Sequence, residues 1–309
     1  MLNGIINVYK EPGFTSHDVV AKLRGITHQK KIGHTGTLDP DAEGVLCVCL
    51  GAATRVCDML TDATKQYEAV CLLGVTTDTQ DTSGQIISEK PVDVTEDKVR
   101  ECIKGFIGEI DQIPPMYSAL KRDGKKLYEL ARAGIEVERE PRRITIYDIE
   151  VTGIDLPGIT MRVTCSKGTY IRTLCNDIGE KLCCGACMKH LTRTRVGTYD
   201  LSTARRLSEI EELAREDRLE EALIPVADVF SDLPAVTVTG TGAARAANGN
   251  LLTASDIETG DADGSGGLHN IITKQDARIR VTGPDDYFYG VYAYDAGDKV
   301  YRPVKMFLC

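Results

Sequence analysis

The sequence of 309 residues contains no tryptophan, and aromatic residues make up only 6% of it. It has no apolar run near the roughly 20 residues that a membrane-spanning helix needs. The first ten residues include Asn3, Asn7 and Lys10, which make this segment too polar for a secretory signal. We therefore expect no membrane attachment and no targeting segment, and we predict that the protein stays in the cytoplasm.

Disulfides are not expected either, because the eleven cysteines are an odd number. Cys47, Cys49 and Cys71 lie in apolar, strand-like segments, where a thiol packs as a small hydrophobic group. This usage is typical of a reducing compartment. At 309 residues and 42% hydrophobic content, the chain is long enough to bury a large core, which we expect to belong to one large domain accompanied by a small one.

Two patterns resemble ligand sites but are incomplete. Cys184 and Cys187 have the spacing of a zinc ligand pair, yet no second pair follows, and His190 alone does not complete a set of four. The Gly-x-Gly within 236–245 follows a predicted strand, but an arginine occupies the third small position of a dinucleotide fingerprint. The sequence thus predicts no metal and no nucleotide cofactor, and the thiols are expected to pack at the end of a helix.

The net charge of −9 hides an uneven distribution of charged residues. Residues 207–309 contain 9 Lys or Arg and 18 Asp or Glu, whereas residues 114–206 contain 17 and 11, a local excess of 6 positive charges. Clustered basic residues predict contact with phosphates, and a solvated surface of mixed charge is the alternative, particularly at 136–140. The basic residues of this stretch include Lys121, Arg122, Lys125, Lys126, Arg142, Arg143, Lys167, Arg193 and Arg195.

Hydrophobic periodicity predicts an α+β fold. We expect a helix after Ser16, whose hydroxyl would cap it, and a helix after Gly168 with Arg172 near its start. Residues 112–143 would form a mobile insert. The other predicted elements are strands at 4–9, 45–50, 66–73, 144–151, 159–164, 235–239, 277–281, 287–294 and 300–305, helices at 54–60 and 95–104, and loops at 76–84 and 259–267.

The segment from Lys31 to Leu46 carries the strongest chemical signal. Its three glycines permit unusual backbone conformations, and Pro40 keeps the preceding Asp39 out of the α region, so that a carboxylate is held on a stiff turn. An apolar run follows at 45–50 and reads as a buried strand. An Asp-Pro pair can also be a simple turn in which the carboxylate bonds its own backbone. A rigid acid beside a core strand favours catalysis.

The run Gly-His-Thr-Gly-Thr-Leu-Asp-Pro at 33–40 resembles the signature of the TruB family of tRNA pseudouridine synthases. Further segments match this family in its order along the chain. They are Asn-Val-Tyr-Lys-Glu-Pro-Gly-Phe-Thr-Ser-His-Asp at 7–18, Lys-Gln-Tyr-Glu-Ala at 65–69, Gln-Ile-Pro-Pro-Met-Tyr-Ser-Ala-Leu-Lys at 112–121, Cys-Ser-Lys-Gly-Thr-Tyr-Ile-Arg-Thr-Leu at 165–174, and Leu191. The resemblance covers most of the chain.

The resemblance implies a pseudouridine synthase fold with a mixed, largely antiparallel central sheet flanked by helices. Residues 1–232 would form the catalytic domain, with an RNA-binding insert at 112–143. Residues 233–309 would form a small, β-rich, PUA-like domain that contacts the acceptor stem of tRNA, although its acidity suggests a minor part in affinity. The substrate would be the uridine at position 55 in the T-loop of tRNA, bound through its T-loop and T-stem by a monomer that needs no protein partner and no cofactor.

The same resemblance assigns roles to particular residues. Asp39 would be the nucleophile, which attacks the base or the ribose carbon, or first takes a proton from the sugar. Arg172 would orient Asp39 and lower its pKa, and Tyr67 would stack on the flipped base and help to remove the C5 proton. His34 would enter the RNA stack where the base departs. The remaining substrate-binding residues would be Tyr170, Leu191, Lys121, Lys125, Lys126 and Lys167.

Two alternative functions stay open at this point. A chaperone that binds and folds tRNA without chemistry would also need the basic insert and the C-terminal module. A guide-RNA-dependent pseudouridine synthase of the same superfamily would share the catalytic loop but act within a protein assembly. Modification of naked tRNA by the purified chain would exclude the second alternative.

Overall fold

The computed structural model describes residues 1–258 and 271–308, so the loop predicted at 259–267 lies outside the described residues. The strands are β1 (Gly4–Lys10), β2 (Ile32–His34), β3 (Glu43–Leu50), β4 (Lys65–Leu73), β5 (Val75–Thr77), β6 (Ile86–Glu89), β7 (Gly108–Gln112), β8 (Lys121–Arg122), β9 (Lys125–Lys126), β10 (Arg142–Asp155), β11 (Gly158–Cys165), β12 (Ala186–Val196), β13 (Tyr199–Asp200), β14 (Ala235–Val238), β15 (Leu252–Thr253), β16 (Ile257–Glu258), β17 (Arg278–Thr282), β18 (Phe288–Asp295) and β19 (Val300–Met306). The helices are α1 (Ser16–Thr27), α2 (Cys57–Asp62), α3 (Glu96–Lys104), α4 (Leu127–Arg132), α5 (Ile171–Lys181), α6 (Leu207–Arg215) and α7 (Gly240–Ala247).

The central sheet joins nine of the described strands in the order β1-β3-β12-β4-β11-β10-β7, with β2 paired to β3 and β13 paired to β12. Every pairing is antiparallel except that of β12 with β3. The predicted α+β fold with a mixed, largely antiparallel sheet is therefore confirmed. The parallel pairing places β12 between β3 and β4, at the middle of the sheet.

Helices cover both faces of the sheet where its strands are most apolar. The residues of β3 alternate between two cores, with Val45 in one and Leu46 in the other, which explains its uninterrupted apolar run. Strand β4 instead alternates between buried and partly buried positions, and its buried face packs against α3 and α5.

Several elements differ from the sequence-based expectations. The helix expected at 54–60 is a 3-10 segment over Gly51–Val56 followed by α2. The loop expected at 76–84 includes the end of β5, which pairs with β6. The insert at 112–143 contains the β8–β9 hairpin and α4. Strand β12 was not predicted, and its pairing with β4 carries two register shifts that blur a simple alternation.

The first helix is capped by a different residue than expected. The N-cap is Thr15, which forms a reciprocal capping box with Asp18. The hydroxyl of Ser16 instead accepts a hydrogen bond from the backbone N–H of Leu38 at 2.9 Å. The start of α1 therefore holds the segment that leads to Asp39.

A second sheet of six strands, in the order β15-β19-β18-β17-β14-β16, follows in the described C-terminal part. Its predicted strands are confirmed to within one or two residues. The unit packs on the first through Phe230, Phe288 and Phe307, whose ring centroids lie 5.3 to 5.8 Å apart. Its small, largely antiparallel architecture is consistent with a PUA-like module.

The described residues include no helix long and apolar enough to cross a membrane. The ten cysteines from Cys47 to Cys187 are free thiols. Cys184 and Cys187 are buried just beyond α5, where packing was predicted, whereas Cys183 is exposed. Within the same part of the chain, no group of three or more His, Cys, Asp or Glu residues is placed to hold a metal ion.

Candidate active site

The loop between β2 and β3 carries Asp39, and its shape depends on one glycine within the loop and another at the start of β3. Gly36 and Gly44 have φ angles of +145° and +103°, which side chains rarely adopt. A Cβ atom on Gly44 would lie 2.3 Å from the carbonyl oxygen of Arg193, so only glycine allows β3 and β12 to pair at this point. The backbone N–H of Ala42 closes the turn by donating to the carbonyl of Asp39 at 3.2 Å.

Two buried cations hold the loop on either side of Asp39. The Lys10 ammonium donates to the carbonyls of Pro40 at 2.9 Å and Ala42 at 2.5 Å. Desolvation lowers the pKa of Lys10 to about 8, although the nearby Asp39 charge opposes this shift. On the other side, the Arg193 guanidinium donates to the carbonyl of Gly36 at 3.0 Å. Hydrogen bonds from Lys10 and Arg193 thus hold the backbone on both sides of Asp39.

Arg172 binds the Asp39 carboxylate through two nitrogens of its guanidinium group. Its Nε lies 2.9 Å from Oδ2, and its Nη2 donates to Oδ1 at 3.2 Å. The same guanidinium donates to the carbonyls of Thr79 at 2.9 Å and Tyr117 at 2.7 Å. The Arg172 side chain is 6% exposed, whereas that of Asp39 is 38% exposed. Arg172 is therefore buried, whereas the Asp39 carboxylate is partly exposed to solvent.

The pKa of Asp39 differs from the expected direction. Desolvation raises it above its ordinary value, and the charge of Arg172 lowers it only in part, while Asp81 raises it further. Arg172 therefore acts in the predicted sense, but burial outweighs its effect. Burial thus leaves the Asp39 carboxylate less solvated and more basic than that of a surface aspartate.

Tyr67 lies beneath the loop on β4 and is 9% exposed. Desolvation raises the pKa of its phenol, and the charge of Arg193, with which it forms a hydrogen bond, opposes the shift. Tyr67 stands opposite Arg193 in the register of β4 and β12 and shares its hydrophobic cluster with Leu38 and Leu191. The structure brings the predicted Tyr67 and Leu191 together below Asp39.

His34 and Tyr170 lie at the rim. The Nδ1 of His34 accepts a hydrogen bond from the N–H of Gly36 at 3.3 Å, and its ring meets His17 edge-on at 5.6 Å between centroids. Desolvation lowers the pKa of His34, which favours the neutral imidazole. Tyr170 precedes α5, and its backbone N–H donates to the Gln112 side chain at 2.8 Å. Desolvation also raises the pKa of the Tyr170 phenol.

The predicted lysines lie farther out. Lys121 and Lys125 are exposed on the β8–β9 hairpin, and the Lys126 ammonium lies 5.3 Å from the centroid of the Tyr128 ring. Lys167 is exposed and bonds Asp62 at 2.8 Å. The predicted basic stripe needs two corrections. Arg193 is 1% exposed and cannot contact phosphates, and the exposed Arg143 is paired with Asp111 at 2.8 Å and with Glu109 at 3.4 Å.

Sequence reasoning missed three residues that the structure places at the site. Lys10 lies in a segment quoted for the resemblance but received no role, and Arg193 was assigned to the surface. Asp81 lies in the segment between β5 and β6, with Oδ2 3.8 Å from Nη1 of Arg172. No local pattern marks these residues, because their partners are remote in sequence.

The mixed, largely antiparallel sheet and the Asp39–Arg172 pair beside a buried tyrosine are consistent with an enzyme of the pseudouridine synthase fold class. The profile described as TruB family pseudouridylate synthase, N-terminal domain, matches residues 24–171, and that of the tRNA pseudouridylate synthase B C-terminal domain matches residues 172–231. The chain belongs to the TruB family of pseudouridylate synthases.

Curated relatives and a solved structure agree with this assignment. A protein of Lachnoclostridium phytofermentans named tRNA pseudouridine synthase B is 50% identical over 99% of this chain and 100% of its own length. A relative of the same name from Alkaliphilus oremlandii is 47% identical over 81% of this chain and 83% of its own. A chain of an H/ACA RNP bound to a substrate RNA containing 2'-deoxyuridine is 27% identical, with a TM-score of 0.69, over 99% of this chain and 85% of that one.

Proposed function

We propose that the protein isomerises the uridine at position 55 in the T-loop of tRNA to pseudouridine. The observation that carries this proposal is the fork of Arg172 on a desolvated Asp39 at 2.9 and 3.2 Å. The relatives named tRNA pseudouridine synthase B supply the substrate class. The reaction breaks the bond between N1 of uracil and C1' of ribose and forms a bond from C5 to C1', while a proton leaves C5 and N1 gains one. The formula is unchanged, so no cofactor is required.

Asp39 is the proposed nucleophile. Its carboxylate is partly exposed to solvent and is bound by Arg172, so that it can reach a base flipped out of the RNA. It attacks the base or the ribose carbon, or takes a proton from the sugar, and each route begins with the ionised form. Arg172 orients the carboxylate and favours this form despite the desolvation.

Tyr67 offers its ring to the flipped uracil. Since burial raises the pKa of its phenol, Tyr67 carries its proton at neutral pH. To accept the C5 proton, the phenol would have to pass its own proton on, and the neighbouring Arg193 has donors only. Stacking on the base is therefore the main role proposed for Tyr67, and assistance in C5 deprotonation is a secondary role. Leu191 and Tyr170 would form the pocket walls.

The RNA is proposed to bind across the cleft and the insert. The neutral imidazole of His34 at the rim would stack where the base departs. The exposed ammonium groups of Lys121 and Lys125, with those of Lys126 and Lys167, would meet phosphates of the T-stem. We assign catalysis to residues 1–232, with a mobile insert at 112–143, and RNA contact to a PUA-like module at 233–309. The enzyme would act as a cytoplasmic monomer.

The test is single-site mapping of pseudouridine in an unmodified tRNA transcript incubated with the purified protein. Wild type, Asp39→Asn and the matched control Asp41→Asn are compared without added cofactor or metal. Asp41 is exposed and lies two residues along the same loop, so its variant should keep activity. We expect product at the T-loop uridine with wild type and the control only, and tRNA binding by all three proteins.

Other outcomes separate the remaining alternatives. Binding of tRNA by wild type without product would favour an RNA chaperone or a guide-dependent enzyme, the latter in line with the ribonucleoprotein neighbour. Addition of guide RNA and partner proteins distinguishes these two. Product confined to the anticodon arm would refute position 55, and loss of both binding and product in Asp39→Asn would give Asp39 a structural role.

A further inference from the structure

Arg193 is a buried cation that the proposed chemistry does not use. It lies on β12 at 1% exposure, and within residues 1–258 and 271–308 its guanidinium forms no ion pair within 4 Å. Removing a cation from water without an anionic partner costs several kcal/mol. A buried arginine without a carboxylate therefore calls for a specific reason.

The guanidinium is directed at backbone carbonyls of the catalytic loop and of the strand that follows it. Its Nε donates to Val45 at 2.7 Å, Nη2 to Gly36 at 3.0 Å, and Nη1 to Thr37 at 3.5 Å. Thr37 lies two residues before Asp39. One planar group thus connects the segment before Asp39 to the first residues of β3.

The backbone of Arg193 is held in the central sheet by neighbouring strands on both sides. Strand β12 lies between β3 and β4, and Arg193 pairs with Gly44 on one side and Tyr67 on the other. The close approach of Gly44 to the carbonyl of Arg193 fixes this register, because any larger residue would collide there. The hydrogen bonds of this side chain consequently fix the loop relative to the central strands.

We propose that Arg193 is a positioning residue of the pseudouridine synthase reaction, which holds the backbone before Asp39 so that the carboxylate meets both Arg172 and the flipped nucleotide. This inference rests on the proposed function. The two arginines then have different roles, since Arg172 binds the carboxylate itself, whereas Arg193 binds the backbone that carries it and the phenol of Tyr67.

The test compares Arg193→Lys with wild type and with Arg162→Lys as the control. Arg162 lies on β11 with a side chain that is 40% exposed and is paired with Glu68 and Glu150, so its variant should keep the wild-type rate. Lysine keeps the charge of Arg193 but cannot donate to three carbonyls in the plane of a fork.

Single-turnover pseudouridine formation is measured with the enzyme in saturating excess over tRNA, alongside the tRNA Kd. A misfolded fraction lowers the concentration of active enzyme but not the rate constant at saturation, so the rate constant does not depend on how much of the variant folds. We expect it to fall by up to about 100-fold, the loss associated with a displacement near 1 Å, while Kd stays within about threefold. Hydrogen exchange of the 34–44 backbone should become faster.

A wild-type rate constant in Arg193→Lys would overturn the inference. So would a slower reaction with unchanged exchange of the loop, or a loss explained by weaker tRNA binding. If Arg193→Lys does not fold, Arg193→Gln, which still offers amide donors, takes its place in the same assay. Inactive wild type would instead refute the proposed function itself, so the two failures are distinguishable.

Discussion

Replacing Arg172 by lysine tests the central geometry of the site. The guanidinium makes two bonds to the Asp39 carboxylate, at 2.9 and 3.2 Å, and two more to the carbonyls of Thr79 and Tyr117. An ammonium on a flexible chain keeps the charge but cannot reproduce the planar, two-point contact. We therefore expect Arg172→Lys to fold and bind tRNA but to orient the carboxylate poorly.

The magnitude follows from the bond that is lost. A hydrogen bond to a charged group contributes about 1.5 to 3 kcal/mol, and 1.36 kcal/mol corresponds to a factor of ten in rate. Loss of one of the two bonds to Asp39 should slow single-turnover pseudouridine formation by about 10- to 150-fold. Arg100→Lys, on the exposed surface of α3, is the matched control and should react at the wild-type rate.

The pH dependence gives a second, independent readout. Arg172 lowers the pKa of Asp39 against the desolvation that raises it. Arg172→Gln removes this charge, so the pKa should rise further, and the acid limb of the rate profile should move to higher pH because the ionised form reacts. Arg172→Lys should move that limb much less. A limb that stays in place or moves to lower pH in Arg172→Gln, or a wild-type rate in Arg172→Lys, would refute the reasoning.

Three further predictions concern the surroundings of this pair. Asp81→Asn removes a like charge that raises the pKa of the catalytic aspartate, so the acid limb of the rate profile should move to lower pH. Gly44→Ala should lower the free energy of unfolding in urea by about 2 to 5 kcal/mol, since it combines backbone strain with a collision against β12; Gly124→Ala, whose Cβ meets nothing within 4 Å, should lose less. The double variant Lys121→Glu, Lys125→Glu should weaken tRNA binding and flatten its salt dependence by about 2 units of log–log slope, with the saturated rate constant unchanged.

The fold was predictable where a strand or helix has a clear pattern of apolar residues in its own sequence. The apolar run of β3 and the alternation of β4 gave correct strands, because burial on two faces or on one face imposes these patterns. Strand β12 was missed because its two register shifts interrupt the alternation and charged residues occupy its middle. Its burial is a property of the sheet that surrounds it.

The candidate site, like the fold, could be predicted from the sequence only where the determining interactions are local. The amino-acid sequence by itself determined that Asp39 sits on a stiff, glycine-rich loop and that Arg172 stands near a helix start, because turn chemistry and helix periodicity act over a few residues. Only the tertiary structure decided that Arg193 is buried and that desolvation outweighs Arg172 in setting the pKa of Asp39. Both depend on strands that lie more than 100 residues apart in the chain, and the cost of burying a charge appears only when those strands exclude water.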